Sequence, residues 1–278
     1  MFWSIVHLIA WILAIGLTFG VLARWFACNP DQPRFVTREM ADDALYWLVS
    51  VFCYADLATL LIKGGVGVAL QSRAPAAVAA ILAGYGWAAR LPLLLQAFLV
   101  IVLIDIIQYW LHRAFHSRAL WPFHAIHHSA EEVGWTTTYR IHPVNFLVYS
   151  AGALALVRLV GFSPAVFVLL APFNLVMGSL VHANLNWTYG PFRYVLASPV
   201  YHRWHHSKDP AVRDKNFAPT FPVLDLMFGT YYMPKDRLPE IYGVDGVPEH
   251  FLGQLIYPFA ITLERLGLTK PKLDQAAA

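Results

Sequence analysis

The chain has 278 residues, of which 58% are hydrophobic and 13% charged, against about 45–50% and 25% in an ordinary soluble domain. With a mean hydropathy of +0.51, that composition excludes both a typical water-soluble globule and a disordered chain. The net charge of +3, from 20 basic and 17 acidic residues, gives no basic field for a nucleic-acid partner, and none is expected.

In chain order, Met1 to Ala23 carries no Asp, Glu, Lys or Arg. A helix of that length crosses a hydrocarbon core of about 30 Å. There is no basic start and no convincing small-x-small cleavage site before Arg24, so the segment reads as a spanning helix rather than a signal peptide. The polar stretch Arg24 to Asp43, with Pro30 and Pro33, predicts a loop. Cys28 and Cys53 fit neither a disulfide framework nor a Cys-rich zinc module, and read as small apolar fillers. A second apolar run covers Ala44 to Ile62, and a third, short and Ala-rich, covers Pro75 to Ala89 and reads as half-crossing. The run from Leu91 to Leu111 is long enough to span and continues without a helix breaker into His112 and His116. The first histidine pair is therefore expected where a helix leaves the membrane. Phe146 to Val160 and Pro164 to Val181, joined by an uncharged Gly-Phe-Ser-Pro turn, predict a hairpin. From His182 the chain is mixed in polarity and carries Arg193, Arg203, Lys208, Arg213, Lys215, Lys235 and Arg237. The excess of basic residues places this half on the cytoplasmic side.

Ten of the twelve histidines lie between His112 and His206. They fall into His112-x-x-x-His116, His124-x-x-His127-His128, the isolated His142 and His182, and His202-x-x-His205-His206. Intervals of three and four put imidazoles on one helix face, close enough to share a metal ion. One ion accepts at most about four to six imidazoles, so a cluster of this size implies two metals. A carboxylate-bridged bundle needs Glu-x-x-His, and a zinc protease His-Glu-x-x-His; both are absent, as is the Gly-x-Ser-x-Gly elbow of a lipase. The surviving reading is a histidine-rich dimetal centre. His7 and His250 lie outside the cluster and stay out of the site. Asp105 stands seven residues before His112 inside an apolar run, where a bare carboxylate is expensive, so a hydrogen bond to a ligand imidazole is expected of it. Asp214, Asn216 and Asp225, after the last box, are similar candidates.

The boxes and their order resemble the membrane fatty acid hydroxylase and sterol desaturase superfamily. The similar stretches are Asp105 to His116, Trp121 to Ser129, Tyr139 to Pro143, and His202 through Asp214, Asn216 and Phe217 to Asp225, Gly229 and Thr230. The resemblance covers roughly residues 105 to 235, and three ordered boxes carry far more weight than one. It implies a membrane-bound non-haem diiron oxygenase that uses O2 and external electrons to hydroxylate, or sometimes desaturate, the alkyl or sterol-like part of a lipid. It implies two iron ions, for which zinc can substitute in a purified sample, and it adds His142 and His182 to the ligands. The chain departs from many relatives at Asn145 (Glu), Ala218 (Gly) and Leu224 (Trp); these positions adjoin the ligands and bear on substrate.

The expected protein is thus an all-α integral membrane protein. It has about four spanning or partly spanning helices plus a hairpin, and a helical dimetal site on the cytoplasmic side, with a bacterial inner membrane as its first assignment. Residues 1–90 form N-terminal membrane helices, 91–240 a fatty acid hydroxylase-like catalytic domain and 241–278 a C-terminal tail. No cofactor motif for electron delivery is present, so electrons come from a separate ferredoxin- or cytochrome b5-type donor with its reductase, docking near Arg203, Lys208, Arg213 and Lys215. A lipid desaturase would share the site. A metal-binding or metal-transport protein is the alternative of another class, but it would place ionisable groups within several spans.

Overall fold

A computed structural model describes residues 2–50 and 83–268. Ten α-helices are described: α1 (Phe2–Phe26), α2 (Met40–Val49), α3 (Gly86–Arg90), α4 (Leu93–Phe115), α5 (Trp121–His128), α6 (Pro143–Val160), α7 (Ala165–His182), α8 (Pro199–His205), α9 (Val223–Met227) and α10 (Phe251–Arg265). Among the described residues there is no strand, only an isolated bridge between Ser207 and Tyr242. The all-α membrane architecture expected from composition is the one observed. Helices α4, α6 and α7 are long and apolar enough to cross a membrane, and the apolar stretch Ala10–Phe26 of α1 is shorter. Most of the second and third apolar runs lies outside the described residues; α2 covers the start of the second and α3 the end of the third. Within the segment expected to be a C-terminal tail lies α10, packed against α5 and α2.

Helix α4 organises the bundle. Its 23 residues reach about 35 Å at the α-helical rise. One face, with Gln96, Val100, Asp105, Tyr109 and His112, is buried, while Leu94, Phe98 and Trp110 are exposed. Both α6 and α7 pack on it. The buried Gln96 side chain ties the lower ends together, donating to the carbonyls of Leu91 and Ala89 and accepting from the Ser163 N–H at 2.9 Å. The chain reverses between α6 and α7 at Gly161, whose φ of 96° lies in the left-handed region. A Cβ there would meet the carbonyl oxygen of Tyr85 at 2.4 Å, backbone that cannot step aside. Gly161→Ala is therefore expected to destabilise the protein by more than about 1 kcal/mol, read as a lower unfolding temperature in detergent. An unchanged temperature would mean that this turn does not pin the hairpin.

Candidate metal centre

The helix ends bring the histidine boxes together. α4 ends with His112 in its last turn and His116 at its C-cap, and α7 ends on His182. α5 and α8 are short helices started by prolines, Pro122 in α5 and Pro199 in α8. Proline is tolerated there because no N–H is needed in a first turn. The side chain of Ser198 caps α8 by accepting from the Tyr201 N–H at 3.2 Å.

Two groups result. His112, His116, His124, His128 and His205 form one; His127, His182, His202 and His206 form the other, and within each the nearest ring nitrogens all lie within 4.8 Å of one another. Each box with adjacent histidines is divided. His124 and His128, four residues apart, go to the first group and His127 to the second. His202 and His206 go to the second and His205 to the first. Neighbouring residues on a helix are rotated by about 100°, so an adjacent pair of histidines must face two different centres. The groups adjoin, since the rings of His128 and His206 stack with centroids 4.5 Å apart.

The far nitrogen of most rings is held. Nδ1 of His112, His127, His182 and His205 faces the carbonyl oxygens of Phe217 (2.8 Å), Arg140 (3.2 Å), Gly178 (2.7 Å) and Lys215 (2.7 Å). A carbonyl only accepts, so Nδ1 carries the proton and Nε2 presents a bare lone pair. The Nδ1 of His124 faces Oδ1 of Asn145 at 2.8 Å, and that of His116 faces Oδ1 of Asp214 at 3.2 Å. The Nε2 atoms of His112, His116, His124, His128 and His205 are buried without a protein partner. In the second group Nε2 of His182 stands 3.3 Å from that of His127 and 3.0 Å from that of His202, which is 3.2 Å from that of His206. Lone pairs facing at these distances repel unless a cation lies between them. Ligands at about 2.1 Å from one ion, separated by 90–109°, stand about 3.0–3.4 Å apart. The donor set fits one metal ion per group. Burial, reinforced by neighbouring imidazoles, holds the pKa of His124, His127, His128, His205 and His206 well below the usual histidine range, so these rings are neutral and able to coordinate.

His142 is not brought to either group. It caps α6, with Nδ1 accepting from the Val144 N–H and Nε2 donating to the Leu255 carbonyl, both at 3.2 Å. Asp105 touches no imidazole, against expectation; its oxygens accept the backbone N–H groups of Thr220 (2.7 Å) and Phe221 (3.0 Å). Asp225 accepts from the N–H groups of Phe217 and Ala218 and from the hydroxyls of Thr230 and Tyr201. These two carboxylates pin the loop whose Phe217 carbonyl holds His112. Asn216 acts on the same loop through Tyr201 and Tyr232 backbone groups. Asp214 and Asn216 both adopt φ of 59°, a region Asp and Asn tolerate, and the turn they make presents the Lys215 carbonyl to His205. Of the four polar residues singled out after or before the boxes, Asp214 is the one that reaches a boxed imidazole. Arg203, expected on a docking surface, is fully buried. It donates to the carbonyls of Val133 and His182 and to Tyr242, Asn29 and Gln32. Arg140, buried behind His127, is held by Asp43 at 2.7 Å and Glu39 at 2.6 Å.

The family model described as fatty acid hydroxylase matches residues 97–230, the stretch that carries all nine grouped histidines. The chain belongs to the fatty acid hydroxylase family. It is 32% identical over 218 residues to the ornithine lipid hydroxylase OlsE of Rhizobium tropici, covering 74% of this chain and 66% of that protein. An alkylglycerol monooxygenase of Danio rerio is 34% identical over 146 residues, 51% of this chain and 31% of its own length. A very-long-chain aldehyde decarbonylase, GL1-7 of Oryza sativa subsp. japonica, is 26% identical over 160 residues, 52% of this chain and 25% of its own. This fatty acid hydroxylase family member thus spans just under two thirds of the first relative and a third or less of the others. No solved structure matches it.

Proposed function

We propose that the chain is an O2-dependent lipid hydroxylase that holds two iron ions, one in each histidine group. The observation that carries this reading is the pair of buried, neutral imidazole groups with converging lone pairs at the ends of apolar helices. When bound, paired iron supplies removal of hydrogen from an unactivated C–H bond, chemistry no side chain offers. The chain's own residues aim the lone pairs, through the carbonyls of Phe217, Arg140, Gly178 and Lys215, and exclude water. Apolar faces of α4, α6 and α7 offer an alkyl chain a route from the bilayer, with Leu94, Leu159 and Val168 exposed on them. Hydroxylation is favoured over desaturation because relatives carry the names hydroxylase and monooxygenase. The excess of basic residues after His182 supports a cytoplasmic site, and a bacterial inner membrane is the setting we assign.

Mass spectrometry of lipids from cells expressing the wild-type chain beside His127→Ala tests the reading. A lipid heavier by one oxygen in the wild type alone is expected; a species lighter by two hydrogens would make it a desaturase, and no difference in a host with a competent reductase would overturn the enzyme assignment.

Asn145, at a position where the resemblance leads one to expect Glu, is the side chain that hydrogen-bonds the His124 ring. Asn145→Ala is expected to weaken metal retention by about 10–100-fold, with Asn145→Glu retaining it. Metal release to a chelator reads this out, and equal rates in the two variants would dismiss the role. Electrons are assigned to a separate ferredoxin- or cytochrome b5-type donor approaching the face with Lys208, Arg213 and Lys215; Arg203 drops out by its burial. Reversing charge at Arg213, which is exposed, should slow reduction at low salt and leave metal content unchanged. A rate insensitive to both substitution and salt would move the docking face elsewhere.

A further inference from the structure

Helix α10 reverses the usual amphipathic rule. From Phe251 to Glu264 the exposed residues are Leu252, Ile256, Phe259 and Leu263, with exposures of 70%, 66%, 48% and 40%. Their spacing of four, three and four keeps them within one narrow stripe, continued by Leu266 on the next turn. Gln254, Pro258 and Ile261 face the protein, so the stripe points away from it, with Phe259 at the edge that still meets α5. The one exposed charged side chain of the helix is Arg265 at its last position, whereas a helix bordering water presents polar residues outward along its length.

The contacts of α10 fix its level. Phe251 packs edge-on against Tyr46 of α2 at 4.8 Å, and the Leu255 carbonyl accepts from His142, the residue at which α6 begins. Phe259 meets Phe123 of α5 at 5.4 Å and His142 at 5.7 Å. Arg265, at the far end, donates to the carbonyl of Arg118, three residues beyond the end of α4. The middle and the far end of α10 therefore touch residues beside the ends of the spanning helices α6 and α4. Its 15 residues, about 22 Å of helix, run along the plane in which those ends lie, and are too few to cross a bilayer.

We propose that α10 lies flat in the membrane interface, with Leu252, Ile256, Phe259 and Leu263 embedded at the boundary of headgroups and acyl chains. The lipid surface is the occupant because α10 lies at the level where α4 has ended and α6 begins, and a helix with its apolar stripe outward at that level meets lipid first. The assignment does not depend on the metal chemistry. It gives the segment after residue 240 a function: α10 seats the helix α5, with its three histidines, against the bilayer from which a lipid would arrive.

The test uses the full chain reconstituted in phosphatidylcholine–phosphatidylglycerol vesicles, with a benzophenone amino acid at position 256 or 263 and, as control, at the exposed Lys235. Both substituted positions are already exposed, so folding is undisturbed. On illumination, phospholipid adducts are expected at 256 and 263 at least tenfold above those at 235. Adducts joining two chains would overturn the proposal in favour of a coiled dimer seam, which the same spacing suits. Equal lipid labelling at all three positions would overturn it as well.

Discussion

His127→Ala and His205→Ala are each expected to abolish lipid oxidation together with a large part of the bound metal. His127 belongs to the second group and His205 to the first, so the two variants strike different centres. In His127→Ala, three imidazoles remain around the second position, and the Arg140 carbonyl loses the ring N–H that it accepted. The replacement is small and apolar, and it leaves a void lined by lone pairs of neutral imidazoles that burial keeps from taking up protons in compensation. The remaining polar atoms have no use for one another without the ion. His142→Ala is the discriminating companion. Its ring lies outside both groups, with each nitrogen already engaged by Val144 and Leu255. We expect full metal content from it, with a cost confined to the α6 cap and the α10 contact. Metal analysis of the purified, monodisperse variants checks the pair. Turnover with full metal in His127→Ala would remove that residue from the ligands, and metal loss in His142→Ala equal to that of His127→Ala would restore His142 to them.

The contrast between these histidines shows what sequence spacing carries. Intervals of three and four inside a box are local geometry, and helix rotation alone sends His127 and His128 to different sides. The position of the first pair at a membrane exit was equally legible, because an apolar run of spanning length leads into it without a breaker. Long-range partners were not. The carbonyl that holds His112 comes from Phe217, and the N–H groups that donate to Asp105 come from Thr220 and Phe221. Nothing within a helical turn of Asp105 signals them, so a carboxylate in an apolar run was assigned to the nearest imidazoles on its face. Arg203 misled for a related reason. A lone arginine among histidines in a polar half reads as surface charge, yet α8 is enclosed on every side and five partners satisfy the guanidinium. Residues 241–278 read only as a tail, and the helix α10 within them goes unread, because an apolar spacing of four, three and four does not say whether it faces protein or lipid. Asn145 reads from its departure as bearing on substrate, whereas its Oδ1 faces the ring of His124 and so belongs to the metal centre.

Asp225→Asn should be the most damaging change outside the histidines, although it preserves shape. Four donors converge on this fully buried carboxylate: the N–H of Phe217 at 2.8 Å, the N–H of Ala218 at 2.9 Å, the Thr230 hydroxyl at 2.6 Å and the Tyr201 hydroxyl. The Thr230 hydroxyl, having given its proton to Asp225, can accept from Tyr109 of α4 at 2.8 Å. A carboxylate is suited to this site because it only accepts. An amide brings two N–H groups of its own, so at least one oxygen position turns into a donor facing donors, and no rotation of the amide relieves both sides. Disrupting such a buried network costs about 3 kcal/mol or more. The loss is expected to spread to the metal site, because Phe217 receives its N–H bond from Asp225 while its carbonyl fixes His112. A lower unfolding temperature accompanied by weaker retention of metal in the first group is the expected signature, with Asp236→Asn on the exposed surface as a silent control. A destabilised protein that keeps both metals as tightly as the wild type would separate the loop's stability from its hold on His112. A variant with unchanged unfolding temperature would show that the four bonds do not act as a unit.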